Sequence, residues 1–224
     1  MTIEPLGDSA LQIVVGAAPD ERARLRVAAA LGRVRAAALP GVIECVPGFT
    51  SVTVHLDPLA AVPGIARALR GLVEAMEAGE ADPGRRVEIP VRYGGEEGPD
   101  LAEVAALHGM AEAEIVALHS GAEYRVHLLG FAPGFPYLGG LHPRLHTPRR
   151  PSPRTTVPAG SVGIGGAQTG VYPVESPGGW RLIGRTPLRL FDARRDPAAL
   201  LRAGDRVRFR PVDAAEMRRL EAGG

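Results

Sequence analysis

Apolar positions along this 224-residue chain change their spacing several times, and each change marks an element. Residues 11–15, 42–46 and 51–56 form short, β-branched, strand-like runs. Between and after them, two longer stretches, about 20–38 and 62–78, follow helical spacing. On the second, Val62, Ile65, Ala66, Leu69, Leu72, Val73 and Met76 recur with a helical period, the stripe of a helix laid on a sheet. The first eighty residues therefore read as a small α+β domain, 1–80. The polar string AGEADPGRR, residues 78–86, contains Asp-Pro-Gly, interrupts the periodicity and reads as a linker.

A second domain, 85–224, opens with a strand at 87–91 and a turn at Gly94-Gly95. Asp100 and Glu103 have the spacing of a capping box before the helix LAEVAALHG, with Val104 and Leu107 expected inward. A second helix, EAEIVALHS, completes an αα-hairpin near 100–120. His108 and His119, at the two helix ends, read as partners of the C-terminal dipoles. From Tyr124 onward the pattern is strands and turns: YRVHLLG, SVGIGG, TGVYPV, WRLIGR, LRLF and RVRFR. So many short strands predict a β-barrel or sandwich, and AAEMRRLEA closes the chain as a helix.

Composition narrows the chemistry. All 26 Lys+Arg residues are arginine, and the chain has no asparagine. A lysine-dependent phosphate loop, a Ser-Lys amidase, a Schiff base and a Cys-His-Asn protease are thereby excluded. Any carboxylate or phosphate must be held by arginine, backbone N–H or metal. With a net charge of +1 and interspersed signs, no nucleic-acid partner is expected. No apolar run has membrane-spanning length, and the N-terminus lacks a signal-peptide pattern, so a cytoplasmic protein is expected. The single cysteine, Cys45 in VIECV, reads as a small buried hydrophobe.

Glycine, proline, arginine and aromatic residues crowd the stretch from Tyr124 to Asp192, a composition that builds a site rather than a core. GSVGIGGAQTG fits neither a dinucleotide fingerprint nor a phosphate loop, leaving tight β-turns or a ligand-facing strand edge that presents Gln168. His142 and His146 sit in a proline-bounded loop without a third ligand, and no metal site is expected. His127 alternates with Val126 and Leu128 on a strand, so it serves a core hydrogen bond or points into a pocket. Arg149, Arg150 and Arg154 lie in RRPSPR, where prolines stiffen the backbone for anion binding, and Tyr172, Glu175 and ESPGGW with Trp180 follow.

GFAPGFPYLGGL, PRRPSPRTTVPAGSVGIGGAQTGVYP, SPGGW and IGRTP closely resemble the family of 5-oxoprolinase B subunits, which includes a sporulation histidine-kinase inhibitor and proteins labelled allophanate hydrolase subunit 1. The resemblance extends upstream through IPVRYGGEEGPDLAEVA and, more loosely, PGFTSVTVHLDP. It implies an α+β domain followed by a cyclophilin-like β-barrel. It also implies one component of a larger enzyme, inactive alone. Such a component works with two 5-oxoprolinase partners, the A subunit and a homologous barrel protein, the C subunit, to open 5-oxoproline to glutamate with ATP and magnesium. On that reading Arg149, Arg150, Arg154 and the turn amides around Gly178, Gly179 and Trp180 hold carboxylate or phosphate. Gln168 and Tyr172 hydrogen-bond the lactam, and His127 and Glu175 move or orient protons. Those roles follow from residue type and position. The alternative is inhibition of a sensor histidine kinase by docking, without catalysis. The allophanate label fits poorly, because its Ser-Ser-Lys chemistry needs a lysine. Met110-Ala111 departs from the family's Leu-Ser, and losing that cap weakens the second helix by about 1 kcal/mol.

Overall fold

Four antiparallel strands, β1 (Thr2–Pro5), β2 (Ala10–Val14), β3 (Val42–Pro47) and β4 (Ser51–Leu56), form a sheet in the order β1-β2-β4-β3. In this computed structural model, which describes residues 1–18, 20–74 and 84–223, the sheet belongs to the first of two units, Met1–Asp82 and Pro83–Gly224. Helix α1 (Glu21–Ala37) follows β2 and α2 (Val62–Glu74) follows β4. The Asp20 side chain caps α1 by accepting the Ala23 N–H at 2.7 Å. Ile65, Leu69 and Val73 of the expected stripe meet Ile13, Val52 and Val54 in one core, which also buries Cys45. Most of the expected linker, and Met76, lie outside the described residues.

The second unit runs β5 (Arg86–Tyr93), α3 (Leu101–His108), α4 (Glu112–Gly121), β6 (Glu123–Leu129), β7 (Pro136–Gly139), a 3-10 turn (Pro143–Leu145), β8 (Arg154–Val157), β9 (Ser161–Gly165), β10 (Gln168–Val171), β11 (Ser176–Gly178), β12 (Arg181–Arg185), β13 (Arg206–Pro211) and α5 (Ala214–Gly223). Seven strands close a barrel in the order β10-β7-β6-β13-β5-β12-β9, while β8 and β11 form a separate pair. The barrel is mixed: β13 runs parallel to β5 and antiparallel to β6. Alternate residues fill its interior, Val126, Leu138, Val162, Ile164, Val171, Val207 and Phe209 among them, and Leu101, Val104 and Ile115 of the helices join the same core. An α+β unit followed by a β-barrel is the expected class.

Several local expectations change. Strands β1, β7, β8 and β11 are three or four residues long and contain or abut proline, too short to show alternation. LRLF makes no strand; only Phe191 forms an isolated bridge, to Ala199. Leu107 is 54% exposed while Val104 is fully buried, because α3 turns a narrower face inward than its composition suggests. The capping box also fails: Asp100 gives no side-chain cap to α3, because its carboxylate is engaged elsewhere. Ala111 provides no side-chain cap for α4, in line with its lack of a polar group.

Candidate functional site

Residues on β9 and β10 alternate strictly between two environments. Val162, Ile164 and Val171 enter the barrel, so Gly163, Gly165, Gly170 and Tyr172 face outward. Missing side chains make the outer wall flat enough for the Trp180 indole to lie on it. A Cβ at Gly165 would stand 2.5 Å from Trp180 Nε1, and one at Gly170 would stand 3.2 Å from the ring. The glycine-rich run is thus a β-hairpin that seats an aromatic ring. Phe135, Val157, Tyr172, Trp180 and Leu182 form a second, smaller core outside the barrel. Phe135 is its centre, with centroids 5.4 Å from Phe131, 5.1 Å from Tyr137, 5.3 Å from Tyr172 and 5.4 Å from Trp180. Phe131, in contrast, is 64% exposed and holds a left-handed backbone, φ +70.

The arginine segment is tied to this lobe by one carboxylate. Asp100, 3% exposed, accepts two bonds from Arg154, Nη1 at 2.9 Å and Nη2 at 2.8 Å. It also accepts from Arg150 Nη1 at 3.2 Å and from the Leu182 N–H at 2.7 Å. Burial alone pushes this carboxyl up, but the Arg154 and Leu182 bonds and the Arg150 charge outweigh it and hold it below its usual range. Beside it, Arg181 pairs with Glu103, and the Arg150 N–H donates to Gly179 O at 2.7 Å. Arg149 is exposed and makes no ion pair among the described residues. Burial raises the Tyr172 hydroxyl, while the Trp180 N–H and the charges of Arg149 and Arg154 pull it the other way.

The structure therefore gathers Arg149, Arg150, Arg154, Tyr172, Gly178, Gly179 and Trp180 into one lobe. Gln168 shares the outward face of β10 with Gly170 and Tyr172, at the strand's opposite end. Glu175 is exposed on the turn before β11. His127 faces out of the barrel on β6, its ring against Gly139 of β7, and β7 separates β6 from β10 in the barrel order. Within the lobe Arg150 and Arg154 serve an internal carboxylate, while Arg149 has no ion-pair partner among the described residues. Asp100 escaped the sequence reading because a carboxylate before a helix looks like a cap; RRPSPR offered the counter-signal, three arginines needing an anion.

A second polar feature lies inside the barrel. His119 is fully buried, not a solvent-facing dipole partner. Thr169 Oγ1 donates to Gly163 O at 2.9 Å, so His119 Nε2–H donates to Thr169 at 2.9 Å and Nδ1 accepts from the Tyr93 hydroxyl at 2.8 Å. The ring stacks on Phe209 at 4.6 Å, and burial lowers its pKa to about 3. His108 likewise bonds Thr147 Oγ1, at 2.9 Å. Among the described residues no three His, Cys, Asp or Glu side chains are grouped to hold a metal, and no helix is long and apolar enough to cross a membrane.

Residues 1–201 match the family "Carboxyltransferase domain, subdomain C and D". The chain is 47% identical over 218 residues to the Bacillus subtilis protein named as the B subunit of 5-oxoprolinase, covering 92% of this chain and 91% of that one. It is 55% identical over 174 residues to the protein of the same name in Escherichia coli O157:H7, covering 77% and 79%. The crystal structure of TTHA0988 superposes with a TM-score of 0.80 at 40% identity over 92% of this chain, which spans 40% of that longer chain. The likeness runs through both units and through the segments that build the lobe, and the chain belongs to the carboxyltransferase-like family of 5-oxoprolinase B subunits.

Proposed function

We propose that this protein is the B subunit of an ATP-dependent 5-oxoprolinase, acting with the A and C subunits and inactive by itself. The observation that carries the reading is the match over nine-tenths of both chains to a protein named as that B subunit. A lactam is a poor electrophile. Transfer of the ATP γ-phosphoryl group to its oxygen, with release of ADP, makes the ring carbon open to water. The C–N bond then breaks, the nitrogen takes a proton, and a second water releases phosphate and glutamate.

For this chain we assign binding and orientation. Arg149 offers an exposed guanidinium for a carboxylate, and Tyr172 and Gln168 offer hydrogen bonds along the same wall. His127 and Glu175 are the proposed proton-handling pair; standing on separate elements, they would act on different parts of the bound reactants, or with groups from a partner. Nucleotide phosphates find no cradle in the glycine hairpin, whose flat face Trp180 covers, and there is no lysine to assist. We therefore place ATP and its magnesium with the partner proteins. Phe131, exposed beside this wall, suits contact with such a partner.

The test is ADP release from ATP by this chain, alone and mixed with the A and C subunits, with and without 5-oxoproline. Release requiring both the lactam and the partners is expected. Absence of lactam-dependent release in every mixture refutes the assignment and favours the non-catalytic kinase inhibitor.

A further inference from the structure

A cleft of about 310 Å³, lined by neither Arg149 nor Gln168, opens in the barrel unit between Glu96, Glu97, Arg154, Thr156, Ser161 and Arg185. One wall is pinned by Asp100, since Arg154 and Leu182, its two close partners, both line the cleft. Its size is at the small end of ligand pockets. Guanidinium and carboxylate groups are mixed along it, which disfavours a polyanion and suits a small molecule bearing both an anionic group and a hydrogen-bond donor.

Two groups are incompletely engaged. The Arg185 side chain, 36% exposed, has Nη2 on Glu221 Oε1 at 3.0 Å and 4.0 Å from Glu97 Oε1, and its other N–H groups make no hydrogen bond among the described residues. Glu97 is the reverse case: its side chain is 13% exposed, Oε1 takes Arg92 Nη1 at 3.3 Å, and Oε2 is buried with no hydrogen-bond partner among the described residues. A buried carboxylate oxygen left unsatisfied is costly, and a site that supplies its donor from a ligand recovers that cost. Ser161, buried on the outward face of β9, adds a hydroxyl to the lining.

We propose that this cleft binds a small α-carboxylate carrying an N–H donor, its carboxylate on Arg185 and its N–H on Glu97 after a small turn of that carboxylate. The class includes a cyclic amide acid and the amino acid that its opening yields. The choice of 5-oxoproline and glutamate as probes rests on the 5-oxoprolinase reading.

The test is calorimetric titration of the full chain with 5-oxoproline, L-glutamate, cyclopentanecarboxylate, which lacks the N–H, and 2-pyrrolidinone, which lacks the carboxylate. Wild type should prefer the first two. Arg185→Gln should weaken them at least tenfold, Glu97→Leu should erase the preference over cyclopentanecarboxylate, and Glu221→Gln, which removes a competitor for Arg185, should bind as tightly as wild type or tighter. Equal losses in Arg185→Gln and Glu221→Gln would mark a merely structural pair and overturn the proposal, as would failure of every probe to bind at millimolar concentration. Binding of 5-oxoproline and L-glutamate that Arg185→Gln leaves unchanged overturns the cleft and leaves the enzyme reading standing. Carboxylate binding that depends on Arg185, with no lactam-dependent ADP release in any mixture, keeps the cleft and overturns the enzyme reading.

Discussion

Asp100 is the residue on which the lobe depends, because one buried carboxylate orients two guanidinium groups and a backbone N–H of β12. Asp100→Asn keeps an acceptor for Leu182 but leaves Arg154 without its anion. A loss on the order of 3 kcal/mol in urea unfolding is expected. His119 makes a pH prediction with a definite sign. Its folded pKa of about 3 lies below the ordinary value of 6.5, so the unfolded chain binds the proton first as pH falls. Stability is therefore lost between those two values as the solution is acidified, with a limiting slope of about 1.4 kcal/mol per pH unit. Urea midpoints at pH 7 and pH 5 should differ for wild type and converge for His119→Gln. Asp100 acts lower: its depressed pKa gives stability that is present above the unfolded carboxyl range and fades as pH falls through the folded value. Neither role was legible locally. A histidine near a helix end and an aspartate before a helix have ordinary local uses, and which use prevails depends on Thr169 of β10 and Arg154 of β8, 50 and 54 residues away.

At the scale of elements, the β9–β10 hairpin and α4 invite opposite substitutions. Gly165→Ala puts a methyl group into the Trp180 indole. The overpacking should cost about 1–3 kcal/mol and shift the emission of the chain's only tryptophan. Ala111 already has the extended backbone of an N-cap, φ −73 and ψ 150, but offers no side-chain acceptor. Ala111→Ser should add about 1 kcal/mol, read as a Tm increase of about 2–4 °C. Helices α1 and α2 and strands β4 and β13 were readable from spacing alone, because each is long enough to repeat its period. Strands β7, β8 and β11 were not, since three or four residues held by partner strands carry no period of their own.

For the whole molecule, acid sensitivity should be unequal. His119, Asp100 and Asp205 are buried polar groups of the second unit, whereas the first unit's core contains no comparable histidine or carboxylate among the described residues. Protection against hydrogen exchange, corrected for the intrinsic rate at each pH, should therefore fall in the barrel before the N-terminal sheet between pH 7 and 4. By itself the sequence determined an α+β segment followed by short strands with a glycine-rich, arginine-rich stretch, because periodicity, turn residues and composition are properties of neighbours along the chain. Its motifs also determined the family. Tertiary structure alone decided that the strands close into a barrel, that the glycines form a seat for Trp180, and that Asp100 takes Arg150 and Arg154 and not Arg149. Each of these outcomes is a competition among partners distant in sequence, and burial, which sets its energy, exists only once the chain has folded.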